Sequence, residues 1–105
     1  MPHNLTSLSE FSEKLSINEF SCIEFWTFRS QKSRLIAPLV SKLAAEKKGI
    51  CSVFKVNVDL APELASMLEV YSVPSIVLYQ NGSPIEKFDE TVKFDDILKI
   101  LDKVN

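Results

Sequence analysis

Two serines, Ser30 and Ser33, stand three residues apart in the run Phe25-Trp26-Thr27-Phe28-Arg29-Ser30-Gln31-Lys32-Ser33-Arg34. Arg29, Lys32 and Arg34 flank them. At a helix start, a hydroxyl can accept hydrogen bonds from backbone N–H groups that lack an intrahelical partner. The same position attracts anions, and three cations would strengthen that pull, so a phosphate or a partner's acidic side chain could dock there. Thiol–disulfide exchange is closed to this run. It needs a thiolate to attack a disulfide sulfur and a second thiol to resolve the mixed intermediate. A serine hydroxyl does neither at neutral pH. Nor is a base at hand to make Ser30 a nucleophile: the only histidine, His3, lies near the N-terminus.

Four other residues could carry chemistry. Cys22 and Glu24 lie two apart on one predicted strand, Cys51 and Lys55 four apart on another. Even spacing puts each pair on one face of its strand. Unpaired cysteines in such strands are commonly small core residues. A redox switch between them is the competing reading.

The elements that must position these residues follow from periodicity. Ser7-Leu8-Ser9-Glu10 has the form of a capping box, and Leu8, Phe11 and Leu15 recur at helical spacing, which predicts a helix over 8–15. Ser21 to Thr27 reads as a strand. Leu35, Ile36, Leu39, Val40, Leu43 and Ala44 form one stripe of a long helix over 31–48, with an expected kink at Pro38 and an end at Gly49. Cys51 to Val58 is the next strand. Pro62 suits the first turn of a helix whose inward face would be Leu64, Met67 and Leu68. Ser75 to Gln80 is a third strand, Asn81-Gly82 a tight turn, and Ile85 to Phe88 the returning strand. A final amphipathic helix runs over 94–104, with Asp95 and Asp96 in its first turn. The order predicts an α/β fold with a mixed sheet, its β-α-β portion parallel and its hairpin antiparallel.

At 105 residues the chain has the length of one domain, expected to span 1–105, with no internal repeat or linker. A formal charge of -2 gives no bulk attraction to nucleic acid or anionic membrane. Lys42, Lys47 and Lys48 make a basic helix end, but no nucleic-acid motif accompanies them. No apolar run approaches the roughly 20 residues that span a bilayer. The start Met1-Pro2-His3-Asn4 lacks the form of a secretory signal, and two cysteines do not make a disulfide framework. The expectation is a cytoplasmic protein with no cofactor and no metal.

The order of elements resembles the thioredoxin family over nearly the whole chain. Phe25-Trp26 resembles the aromatic pair that closes the family's central strand. Arg34-Leu35-Ile36-Ala37-Pro38 is similar to the following helix with its proline. Val56-Asn57-Val58-Asp59 is similar to the end of the second parallel strand. Val73-Pro74-Ser75 resembles the cis-proline signature, and Asn81-Gly82 the hairpin turn after it. The resemblance implies a thioredoxin fold, a central mixed sheet with helices on both faces, and a cis Pro74 facing the loop at Ser30 to Ser33. It also implies that Glu24 stands where the family keeps a buried acid, with Lys55 beside it, as a remnant pair.

The departures are definite. Arg29-Ser30-Gln31-Lys32-Ser33 stands where the family has Trp-Cys-Gly-Pro-Cys, and Asp89-Glu90 where it has a glycine on the groove. The expectation is therefore a redox-inactive thioredoxin-like module, lacking reductase activity and binding a protein or extended peptide as an adaptor, assembly or folding helper. Its groove would be formed by Trp26, Arg29, Ser30, Gln31, Lys32, Ser33, Val73, Pro74, Ser75 and Asp89. The alternative is a thioredoxin whose two catalytic cysteines have been substituted by serine. Arg29 and Gln31-Lys32 speak against it, since a sulfur-to-oxygen exchange requires neither. A hydroxyl placed as in glutathione transferases is a further reading, but those enzymes need an added helical domain.

Overall fold

The computed structural model describes residues 2–103. Five strands form one sheet, β1 (His3–Asn4), β2 (Phe20–Trp26), β3 (Cys51–Asn57), β4 (Ser75–Gln80) and β5 (Ser83–Phe88), in the order β1-β3-β2-β4-β5. β3 runs parallel to both β1 and β2, while β4 is antiparallel to β2 and to β5. Four helices connect them: α1 (Leu8–Ser16), α2 (Gln31–Glu46), α3 (Pro62–Met67) and α4 (Phe94–Lys103).

Strand alternation divides the core into two layers. Phe20 and Cys22 of β2 pack with Ile36, Val40 and Leu43 of α2 and with Ile97 and Leu101 of α4. Ile23 and Phe25 point the other way, onto Phe11 and Leu15 of α1 and Leu64 of α3. Helices thus cover both faces, and β2 is buried along almost its whole length.

The ends of the elements have local causes. The Ser7 hydroxyl accepts from Glu10 N–H at 3.1 Å and caps α1, while the Glu10 carboxylate accepts from Thr6 N–H at 3.1 Å. Asn81 and Gly82 both have positive φ, 51° and 85°, which a two-residue hairpin turn requires. α2 runs without interruption through Pro38 and ends at Glu46, two residues before the expected limit.

Several details differ from the sequence expectation. β1 was not anticipated, because two residues are too few to show an alternation. β2 begins at Phe20, β3 ends at Asn57, and β5 starts at Ser83, with Pro84 tolerated on an edge strand. Leu35 and Met67, expected on inward helical faces, are exposed. In α2 the buried positions are Ser33, Ile36, Val40 and Leu43, so Leu35 lies about 100° off the buried stripe. The expected helical residue Val104 lies outside the described residues.

Candidate functional site

Three loops meet at one end of the sheet. β2 pairs Trp26 with Asn57 of β3 and Phe25 with Ser75 of β4. The segments leaving β2 (27–30), leaving β3 (58–61) and entering β4 (71–74) therefore lie side by side. The Val73–Pro74 peptide bond, in the third of them, is cis. This end, beyond the carboxyl ends of the parallel strands, is where open α/β sheets present their binding loops.

Ser30 is the N-cap of α2. Its backbone is extended and its Oγ accepts from Ser33 N–H at 3.1 Å. Ser33 is buried, and its own Oγ accepts from Thr27 N–H at 3.4 Å. Both hydroxyls are occupied in fastening the loop to the helix, as the capping reading expects.

Nor are the three cations free. Arg29 Nη2 lies 2.7 Å from Asp59 Oδ1, and the Thr27 hydroxyl donates to the other Asp59 oxygen. These donors hold the Asp59 carboxyl below the usual carboxylate range, the Thr27 bond being the larger cause. Lys32 Nζ lies 2.9 Å from Glu90 Oε1, which lowers the Glu90 pKa and raises that of Lys32. Arg34 Nη1 donates to Phe28 C=O at 2.7 Å. The competing anion-docking reading therefore meets two cations already paired with carboxylates, while Arg34 is held by a backbone carbonyl. Asp89, expected on the groove rim, is exposed and accepts from Thr91 N–H at 2.9 Å and Thr91 Oγ1 at 2.6 Å. Its neighbour Glu90 is the acid that reaches the loop.

The apolar side chains at this end are open. Phe28, Leu60 and Tyr71, one on each loop, are 67%, 74% and 82% exposed. The Asn57 side chain accepts from Asp59 N–H at 2.9 Å and Leu60 N–H at 3.3 Å, fixing the second loop. Ser75 Oγ donates to Ser72 C=O at 2.8 Å, fixing the third. Gln31 is exposed and Val73 half-buried, while Pro74 and Ser75 are buried.

Behind the loops lies the acid–lysine pair. Register sets Glu24 beside Lys55 on β3, with Lys55 Nζ 3.7 Å from Glu24 Oε1. The Glu24 side chain is 1% exposed and that of Lys55 16%. Among the described residues, neither Glu24 oxygen has a partner within hydrogen-bond distance. Burial raises the Glu24 pKa, and the nearby Lys55 opposes that rise. Lys55 also lies 4.4 Å above the ring of Trp26. Trp26 packs edge-on against Phe28 at 4.6 Å and donates from Nε1 to Asn4 Oδ1 at 3.0 Å. Cys22 and Cys51 are free, buried in one core layer. Burial pushes the Cys51 thiol up to about 12 and that of Cys22 well above its ordinary value. Among the described residues, no group of His, Cys, Asp and Glu could hold a metal ion. No described helix is long and apolar enough to cross a membrane.

Sequence reasoning overlooked Asp59, Thr27, Glu90 and Asn4 as partners, and Phe28, Leu60 and Tyr71 as the open apolar groups. No spacing rule links Arg29 to Asp59 or Lys32 to Glu90; only the folded sheet brings them together.

A sheet of order β1-β3-β2-β4-β5 with a cis-proline turn beside the capped start of α2 defines a thioredoxin-like α/β protein. The thioredoxin family model matches residues 3–103, and the chain belongs to that family. It is 30% identical over 81 residues to thioredoxin of Staphylococcus aureus, covering 77% of this chain and 78% of that one. It is 31% identical over 83 residues to a bifunctional thioredoxin reductase/thioredoxin of Mycobacterium leprae, covering 79% of this chain and only 18% of that protein. Among solved structures, a mutant thioredoxin from Halobacterium salinarum superposes with a TM-score of 0.88 at 24% identity, covering 97% of this chain and 88% of that one. Plasmodium falciparum thioredoxin gives 0.84 at 22% identity, covering 98% and 99%.

Proposed function

We propose that this chain is a redox-inactive protein-binding module on a thioredoxin fold, receiving an extended segment of a partner protein in the groove beside Val73–Pro74. The observation that carries this reading is the pairing of an oxygen-bearing loop with an open apolar rim. Ser30 and Ser33 are engaged in capping, Phe28, Leu60 and Tyr71 face solvent at the same end, and the only two sulfhydryls are buried elsewhere. Exposed apolar groups gathered at one end of a fold support a contact surface. The groove residues are Trp26, Arg29, Ser30, Gln31, Lys32, Ser33, Val73, Pro74, Ser75 and Asp89, with Glu24 and Lys55 as a structural remnant behind them. An extended peptide there would gain main-chain hydrogen bonds from the loop and specificity from the rim. A cytoplasmic adaptor or folding-helper role fits the absence of a thiol at the start of α2.

The test is site-specific photo-crosslinking in the native cell. A photoreactive residue at Tyr71 should capture a defined partner segment, one at the distant Lys42 should not, and Leu60→Arg, at an exposed rim position, should abolish the Tyr71 product while leaving the circular dichroism melt unchanged. Equal capture from Tyr71 and Lys42, or capture that survives Leu60→Arg, would overturn the reading.

A further inference from the structure

A second concave site lies beside the first residues of β3, where β1 leaves that strand uncovered. β3 has β2 on one side along its whole length, but β1 pairs only with Phe54 and Lys55. Beside Cys51–Val53, no described strand covers that edge. The α2 helix passes over the gap with small residues, Ser41, Ala44 and Ala45, so the space remains open as a pocket of about 590 Å³. That volume lies within the roughly 300–1,000 Å³ of small-molecule sites. Val53 contributes apolar wall, and Lys48 is among the lining residues.

Charge is what selects the ligand class. Lys42 pairs with Glu46 at 3.8 Å and Lys47 with Asp102 at 3.4 Å, but Lys48 has no ion-pair partner among the described residues. No acidic residue lines the pocket. His3 also lines the pocket but is held by Glu10 at 2.8 Å, so a trough with one ammonium that has no ion-pair partner among the described residues complements a molecule with an apolar body and one negative head. The ammonium supplies a charge-assisted contact, and the trough removes apolar surface from water.

We propose that this pocket binds a small amphipathic carboxylate, a medium-chain alkyl acid in form, with its carboxylate at Lys48 and its chain along Ala44, Ala45 and Val53. The site is separate from the groove at Val73–Pro74 and does not depend on how that groove is used.

The experiment is a titration of the ¹⁵N-labelled full chain with octanoate, followed by amide chemical shifts, with 1-octanol as the uncharged probe. Saturable shifts confined to Ala44–Lys48 and Cys51–Phe54 are expected, with octanol weaker by about tenfold. Lys48→Gln should weaken octanoate to the level of octanol. Ala44→Phe should fill the trough and abolish binding of both probes; Ser41→Leu serves the same purpose should that variant fold poorly by circular dichroism. Absence of saturable shifts would overturn the proposal. So would equal affinity for the two probes, shifts centred on Phe28, Leu60 and Tyr71, or shifts that follow protein concentration without ligand and so report self-association.

Discussion

Glu24 and Lys55 sit directly opposite each other on parallel strands, with Nζ 3.7 Å from Oε1, yet neither oxygen of the acid has a hydrogen-bond partner among the described residues. A buried pair of this kind returns little stability, because the attraction only partly offsets the desolvation of both charges. Glu24 holds its proton more tightly folded than unfolded, since burial raises its pKa above 4.5. Its contribution is therefore most favourable below about pH 4.5 and is lost as pH rises through the folded value. Replacing both members with apolar side chains should remove that loss without leaving the mostly buried Lys55 ammonium unpaired.

The expected outcome is that the double variant Glu24→Leu/Lys55→Met is more stable than the parent by about 1 kcal/mol or more at pH 8, that the gain shrinks toward pH 5, and that Glu24→Leu alone falls short of the double variant because it leaves Lys55 without its carboxylate. Urea denaturation at both pH values measures it. A double variant less stable than the parent at pH 8 would contradict the account.

Ser30→Ala removes the acceptor that caps α2. It should cost about 0.5–2 kcal/mol in equilibrium unfolding, the usual range for a lost N-cap. Ser30→Asp should restore most of the loss, because an acidic oxygen at that position also complements the helix dipole. A catalytic rather than capping hydroxyl would leave Ser30→Ala at parental stability.

Much of the fold was legible because its signals are local. The alternation in β2, the capping box before α1 and the Asn81-Gly82 turn each lie within a few neighbouring residues, and the Val73-Pro74-Ser75 match located the third loop. The site was legible only in outline. Ser30 as a cap could be read from sequence, but Arg29 finds its anion 30 residues away and Lys32 finds its own 58 residues away. Without those partners the sequence leaves anion docking beside capping as an open reading; the fold engages two of the three cations with carboxylates. Leu35 and Met67 were misplaced for a related reason: helical periodicity identifies a stripe, while the packing of the sheet decides how wide a stripe is covered.

Asp59 links two of the three loops through Thr27 and Arg29. Its carboxyl titrates below the ordinary range, so its stabilising effect is present above the unfolded value and lost as pH falls through the folded one. Thr27→Val removes the larger cause and should move the Asp59 pKa up toward its ordinary value, read by ¹³C NMR titration of the side chain. An unchanged titration would mean that the hydroxyl does not hold the carboxylate.

The two thiols should be silent in the native protein. With Cys51 pushed up to about 12 and Cys22 also raised by burial, almost no thiolate exists at pH 8. A chromogenic disulfide reagent should label neither cysteine in buffer and both in guanidinium. Rapid native labelling of either would show that the core layer opens, and would reinstate a redox role for the pair.

The most direct test is insulin reduction with dithiothreitol, run on the unaltered chain beside the double variant Ser30→Cys/Ser33→Cys. The chain as it stands should give the rate of dithiothreitol alone, and the double variant should exceed it, because two thiols at a helix start beside the cis-proline turn recover the missing exchange chemistry. Acceleration by the unaltered chain would contradict the account at its root.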